Sequence, residues 1–216
     1  MSSEGPAVSR RQGTLFVVSA PSGAGKTSLC RTLVTAIPGL RHSVSYTTRA
    51  ARPAEVAGRD YHFVEEAAFR VMIKDGEFLE WAEVYGNLYG TPRTPVRQWR
   101  EQGIDVLLDI DAQGASQIRR QEPDAVSIYI LPPSLEILRR RLEDRRADPP
   151  DEIAKRLRKA RDEVKHYRDY TYVVINDDFQ SSVRQLECIV VAERCRTVTL
   201  DLSSLEQALL ETREER

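Results

Sequence analysis

The 216-residue sequence predicts an α/β fold, a parallel sheet covered by helices on both faces, and three observations carry that expectation. An apolar run at 15–18 leads through a loop of small residues into a segment with apolar residues at Leu29, Leu33, Val34 and Ile37, which is helical spacing. From Val106 onward strand-like and helix-like segments alternate, as they do in open parallel sheets. The strand-like segments are short continuous apolar runs, the pattern of strands buried on both faces.

Taken in order, residues 1–12 with their Ser, Gly, Pro and paired Arg10 and Arg11 read as a disordered leader. The first strand and helix follow, and Pro38-Gly39 stops that helix. Residues 43–92 break the alternation. They read as an extended polar stretch from Ser43, a short helix at 65–75, a strand at 78–84 and a turn-rich segment at 86–92. Thr94-Pro95 is a cap and first-turn proline for a helix to about 102. A buried strand at 106–111 ends in two carboxylates, and helix 112–121 and strand 126–131 follow. Helices at 135–145 and 151–167 flank the breaker around Pro149-Pro150. The last clear core strand is 172–175, with Asp178 capping a helix at 179–195. A short edge strand at 197–202 and a polar helix or frayed tail at 203–216 complete the reading.

Composition bounds the function. An apolar content of 41% with 30% charged residues is that of a soluble globular chain, and a formal net charge of -1 gives no bulk attraction to nucleic acid or to anionic lipid. No apolar run is long enough to span a membrane and the start has no secretory apolar core, so a cytoplasmic protein is expected. Cys30, Cys188 and Cys195 are scattered and read as buried or half-buried free thiols in a reducing compartment. His42, His62 and His166 have no metal-ligand spacing. No macromolecular partner is indicated.

The loop after the first strand is Ser19-Ala20-Pro21-Ser22-Gly23-Ala24-Gly25-Lys26-Thr27. It follows the phosphate-binding pattern G-x-x-x-x-G-K-[ST], with Ala20 standing where the first Gly is usual. Gly23 and Gly25 allow backbone N–H groups to close on phosphate oxygens, and the helix N-terminus adds a favourable field. Lys26 would reach the β- and γ-phosphates and the Thr27 hydroxyl would ligate magnesium.

Four further constellations follow, and all but that of Asp109 are open to two readings. Arg49 and Arg52, beside Thr47, Thr48 and Tyr61, form either a solvated basic loop or a grip on a second phosphate. Glu80, within Phe78-Leu79-Glu80-Trp81, either faces solvent or stands half-buried and accepts a pair of hydrogen bonds. Guanine offers such a pair at N1 and N2 and adenine does not. Asp111 would share that work or cap the next helix, and Ser45 or Thr91 would donate to the guanine O6. Asp109 lies at the strand edge where ligands sit in doubly wound sheets and is read as a magnesium or water-shell group. The arginines at 139, 140, 141, 145, 146 and 156 are either a solvated helix face or a mobile lid that neutralises a transferring phosphoryl group.

From about residue 14 to 194 the chain resembles the guanylate kinases, P-loop nucleoside monophosphate kinases that move a phosphoryl group from ATP to GMP. The resemblance rests on the loop, Ser45, Thr47-Thr48-Arg49 and Arg52, Tyr61, Glu80, Gly86 to Gly90, Asp109-Ile110-Asp111 with Gln113-Gly114, Arg141, Arg145, Arg156 and Asn176-Asp177-Asp178. It implies a GMP site of Ser45, Arg49, Arg52, Tyr61, Glu80, Tyr89, Thr91 and Asp111. An ATP site would comprise Ala20, Pro21, Ser22, Gly23, Ala24, Gly25, Lys26, Thr27 and Ser28, with Asn176 near the adenine. Lys26, Arg49, Arg141, Arg145 and Arg156 would surround the transferring group, with Thr27 and Asp109 at the magnesium ion.

The resemblance also implies an organisation. A P-loop core would comprise 13–42, 93–137 and 168–202, a small mixed GMP-binding insert 43–92, and a helical lid 138–167. Departures from the family pattern are Ala54 for a common Gly, Thr91 for a common Ser and Arg146 for a usual Gly in the lid. The expected reaction is ATP + GMP to ADP + GDP by direct in-line transfer, with dGMP as a further acceptor. A phosphopeptide-binding scaffold domain and a kinase for another phosphorylated substrate are the alternatives.

Overall fold

In the computed structural model, residues 9–10, 12–144 and 150–211 are described. The core sheet has five parallel strands, β2 (Leu15–Ser19), β3 (Leu40–His42), β8 (Asp105–Asp109), β9 (Val126–Leu131) and β10 (Tyr172–Ile175), in the order β10-β9-β2-β8-β3. The central strand β2 pairs on one side with β8, Val17 opposite Leu108, and on the other with β9, Val17 opposite Ser127. The chain leaves β2 toward one half of the sheet and returns later to build the other. The C-terminal end of β2 is therefore the topological switch point, where open α/β sheets take ligands.

Both faces of this sheet are covered because its strands are apolar on both sides. Phe16 and Val18 pack with Leu29 and Leu33 of α1 (Lys26–Ala36) and with Val183, Leu186 and Val190 of α7 (Phe179–Arg194). Leu15 and Val17 pack on the opposite face with Val96 of α3 (Arg93–Glu101) and Ala115 and Ile118 of α4 (Ala112–Gln121). At the far end of the sheet the buried Asp105 accepts from Thr14 N at 2.8 Å and from Arg194 Nε at 2.8 Å, which ties the end of α7 to β8.

A second, four-stranded sheet lies between β3 and α3 in sequence. It comprises β4 (Tyr46–Thr47), β5 (His62–Phe63), β6 (Phe78–Val84) and β7 (Asn87–Pro92), in the order β5-β4-β7-β6, with α2 (Glu66–Lys74) packed on it. Its own small core is Phe69, Phe78 and Leu88. The remaining helices α5 (Leu135–Asp144) and α6 (Pro150–Glu163) pack together through Leu138, Leu142 and Ala160, and a 3-10 turn (Val164–Asp169) leads back to β10.

Several expectations need correction. All of the segment 86–92 but Gly86 is a strand, β7, and its glycines serve different ends. Tyr85 and Gly86, at φ 52° and 75°, make the two-residue hairpin turn that favours left-handed residues, whereas Gly90 leaves space for two phenyl rings. Ser43 does not begin the extended stretch: β3 precedes it and joins the core sheet. Strand β8 ends at Asp109, and Asp111 is the N-cap of α4, accepting from Gly114 N at 2.9 Å. The helix from Asp151 gives way to the 3-10 turn after Glu163. The expected strand at 197–202 is a 3-10 turn (Thr197–Thr199) followed by β11 (Leu200–Asp201). That strand pairs with β1 (Ser9–Arg10), inside the stretch read as a leader. The edge strand β10 exposes Val173 and Ile175 rather than burying all its residues. All three cysteines are free, but Cys188 and Cys195 are exposed and only Cys30 is buried. Residues 203–211 form a helix, α8 (Ser203–Glu211). Arg145, Arg146 and the ends 1–8 and 212–216 lie outside the described residues.

Candidate active site

The loop after β2 is built by its glycines and by what presses on them. Gly23 and Gly25 have φ of 94° and 92°, a conformation that side chains resist. A Cβ at Gly23 would lie 2.8 Å from Leu142 of α5, and one at Gly25 would lie 2.5 Å from Asn176 Nδ2. That amide donates to Ala24 O at 2.7 Å, so Asn176, from the turn after β10, braces the loop. Its Oδ1 is buried without a partner. Among the described residues the only non-glycine at positive φ is Tyr85, so Ala20 and Ala54 stand where the backbone makes no demand for glycine.

Lys26 does not point into open space. Its Nζ lies 2.5 Å from Asp109 Oδ1 and donates to Ile110 O at 2.8 Å. Burial works to lower the Lys26 pKa, but the Asp109 charge and hydrogen bond outweigh it and leave the pKa raised. For Asp109 burial pushes upward, and Lys26 outweighs it and holds the carboxyl below its usual range. The Thr27 side chain also hydrogen-bonds Asp109. A hydroxyl and a carboxylate in contact at a helix start are hard oxygen donors that fit magnesium. That ion commonly takes one or two protein ligands and completes its shell with water and substrate phosphates.

Across the cavity, Glu80 of β6 is only 4% exposed although it is acidic. Its Oε1 accepts from Thr91 Oγ1 at 2.6 Å. Burial pushes its pKa up, Thr91 opposes that and Asp111 adds to it, and the result is about 7. The solvent-facing reading of Glu80 is thereby set aside. Both sides of β6 are covered at this point, one by the small core of the second sheet and the other by α4.

In the loop between β4 and β5, Glu55 organises the arginine pair. It accepts from Arg49 Nη2 at 2.8 Å and from Arg52 N at 2.8 Å. The Arg49 guanidinium lies 5.4 Å from the Tyr61 ring centroid and hydrogen-bonds Tyr89, and the Tyr61 and Tyr89 rings meet edge-on at 5.9 Å. Asp60, next to Tyr61, is held by Arg59 and by Arg31 of α1, a direct link between the two sheets' layers.

One cavity of about 290 Å³ joins these parts: residues 20–27, Ser45, Arg52, Tyr61, Glu80, Tyr89, Asp109, Asp111 and Arg156 all line it. Thr91 is fully buried behind Glu80, and Arg49 stands beside the cavity in contact with Tyr61. Arg141 and Asn176 line a separate cavity on the other side of the loop with Gly23, Gly25, Ser28 and Phe179. Arg141 donates there to Asn176 O at 2.9 Å, away from the cavity that holds Glu80 and Lys26. Sequence reasoning missed Lys159 and Glu163, which line the Glu80 cavity with Arg156. Their spacing from Arg156, three and seven residues along one helix, is the signal that places all three on one face. Lys159 also lies 4.3 Å from the centroid of the Tyr85 ring, which joins α6 to the β6–β7 hairpin.

A parallel sheet with a glycine-rich loop at its switch point, a lysine and threonine at the following helix start and an acidic strand end beside them define a P-loop nucleotide kinase. The family profile "Guanylate kinase" matches residues 12–193. The chain belongs to the guanylate kinase family. It is 51% identical over 188 residues to a guanylate kinase of Geobacter metallireducens, covering 87% of this chain and 93% of that one. It is 52% identical over 187 residues to one of Vibrio cholerae, covering 86% and 90%. The crystal structure of guanylate kinase from Anaplasma phagocytophilum superposes with a TM-score of 0.79 at 35% identity, over 96% of this chain and 97% of that one. Among the described residues no helix is long and apolar enough to cross a membrane.

Proposed function

We infer that the chain is an ATP-dependent GMP kinase, which passes the γ-phosphoryl group of ATP to GMP, and to dGMP, and releases ADP and GDP. The observation that carries the guanine assignment is Glu80, a buried carboxylate in the same cavity as the phosphate-binding loop. An ionised carboxylate there accepts the N1 and N2 hydrogens of guanine, and adenine presents no such pair. Asp111 assists at the base edge, and Ser45 and Thr91 supply hydroxyls.

In this reading residues 43–92 are the acceptor insert, 138–167 the lid, and 13–42, 93–137 and 168–202 the core. Arg49, Arg52, Tyr61 and Tyr89 hold the GMP phosphate so that one of its oxygens faces the γ-phosphorus, and the bond to the ADP oxygen breaks in line. Residues 20–28 hold the donor phosphates, with Asn176 and the cavity beside it toward the adenine. Lys26 and Arg156 offset the transferring charge, joined by Arg145 and by Arg141 once it leaves Asn176 O, so positioning and electrostatics suffice without a general base. Thr27 and Asp109 would hold magnesium, which neutralises phosphate charge when bound. The cytosol is the compartment this reading assigns, in keeping with three free cysteines. The substrates are small molecules and no macromolecular partner is invoked.

A scaffold role is disfavoured because Lys26 and Thr27 are intact and line the same cavity as Glu80. The test is ADP formation with ATP and magnesium, with GMP, dGMP, AMP, CMP and UMP as separate acceptors. Turnover confined to GMP and dGMP is expected. Turnover with a different acceptor contradicts the guanine assignment, and GMP binding without turnover favours the scaffold role.

A further inference from the structure

Strand β6 is an outer strand of the second sheet, yet its free edge is not left to solvent. Gln117 of α4 accepts from Trp81 N at 3.3 Å and donates to Trp81 O at 2.6 Å, as a neighbouring strand would. One helical turn earlier Gln113 donates to Glu83 O at 3.3 Å. Two glutamines thus dock α4 side-on against the strand that carries Glu80.

Between them on the helix lies Gly114. A Cβ there would stand 2.2 Å from Glu80 Oε2 and 2.8 Å from Glu80 Cδ. The other Glu80 oxygen takes the Thr91 hydroxyl at 2.6 Å, so the carboxylate is wedged between Thr91 and bare helix backbone. Gly114 is not among the glycines at positive φ, and it lies within α4 with its N–H on Asp111. The backbone conformation does not call for glycine at this position; the space taken by Glu80 does.

We propose that Gly114 is a positioning residue for acceptor specificity: its missing side chain is what lets the Glu80 carboxylate stand at its place in the cavity. The proposal rests on Glu80 as the group that reads guanine. A methyl at 114 meets first the far end of a flexible side chain, so the molecule gives way by turning Glu80 aside and not by opening the fold. Alanine in place of glycine also favours the helix itself. Acceptor binding and thermal stability should therefore part company.

The experiment measures KM for GMP and for ATP, with thermal melting, in Gly114→Ala, Glu80→Ala, Glu80→Asp and Gly114→Ala with Glu80→Asp. Gly114→Ala should raise the KM for GMP about tenfold or more, because a buried hydrogen-bonding group is displaced. The KM for ATP should stay as it is and the melting temperature should not fall. Aspartate is one methylene shorter and clears the methyl. Glu80→Asp should therefore raise the KM for GMP less in the Gly114→Ala background than in the native one. An unchanged KM for GMP in Gly114→Ala overturns the proposal. So does strict additivity of the two changes, or a loss of fold or a parallel rise of both KM values. If Glu80→Ala itself leaves the KM for GMP unchanged, the base-reading assignment fails first and takes this inference with it.

Discussion

The phosphate-binding loop and the Glu80 pocket line one cavity, but their charged groups are held in opposite ways. On the loop side the cation is already engaged: Lys26 rests on Asp109 and Ile110 O, and in the proposed reading it exchanges them for phosphate oxygens. On the pocket side, among the described residues, the carboxylate meets no cation in hydrogen-bond contact, only Thr91 on one oxygen and the Gly114 backbone beside the other. Phosphate carries enough charge to win a lysine from a carboxylate. A neutral base does not, so in the proposed reading its acceptor must be left free of a competing cation, and the cost of leaving it so is a carboxyl pKa pushed up by burial.

The largest effect expected is on the loop side. Lys26→Met should lower kcat on the order of a hundredfold to a thousandfold, since a group aimed at developing charge is removed. A kcat within error of the native value would break the contrast by removing Lys26 from the chemistry.

Next comes pH. A carboxyl raised to about 7 in the free protein is protonated below that pH and ionised above it. The protonated form offers an O–H to donors on the base, so the KM for GMP should rise as pH falls below about 7, approaching about tenfold per pH unit. The KM for ATP should show no matching rise, and a joint rise would show that Glu80 is not the titrating group.

Thr91→Val sharpens the contrast further. It deletes the hydroxyl that offsets Glu80 desolvation, so the inflection of that pH profile should move upward and the KM for GMP should rise about tenfold at neutral pH. Thr91→Ser keeps the hydroxyl and should leave both nearly unchanged.

The smallest effect belongs to the brace behind the loop. Asn176→Ala removes the hydrogen bond to Ala24 O but also removes an unpartnered buried oxygen, so stability should change little. The KM for ATP should rise severalfold, in the range of about one neutral hydrogen bond, while that for GMP stays constant. A selective loss of GMP binding would place Asn176 on the wrong side of the comparison.

The two regions also differ in how far the sequence reveals them. The loop is a contiguous motif whose glycines, lysine and threonine act through local backbone geometry, so it was legible together with the alternating core. The Glu80 pocket is assembled from β6, β7 and α4, and neither the burial of Glu80 nor the need for Gly114 follows from its neighbours in the chain. Gly90 shows why β7 read as a turn. A Cβ there would lie 2.8 Å from Phe78 Cδ1 and 3.0 Å from Phe69 Cζ, whose rings stack at 4.5 Å, and such a packing demand leaves no local signal. Lys159 and Glu163 were hidden in a charged helix whose inward face only the packing of α6 defines.

The most direct measurement of the role of Glu80 is equilibrium binding of GMP and of ATP, each alone, to the native protein and to Glu80→Ala. GMP affinity should fall about tenfold to a hundredfold, as for a hydrogen-bonded charged group, while ATP affinity is retained. Equal losses for both nucleotides, or none for GMP, would contradict the assignment of Glu80 as the guanine reader.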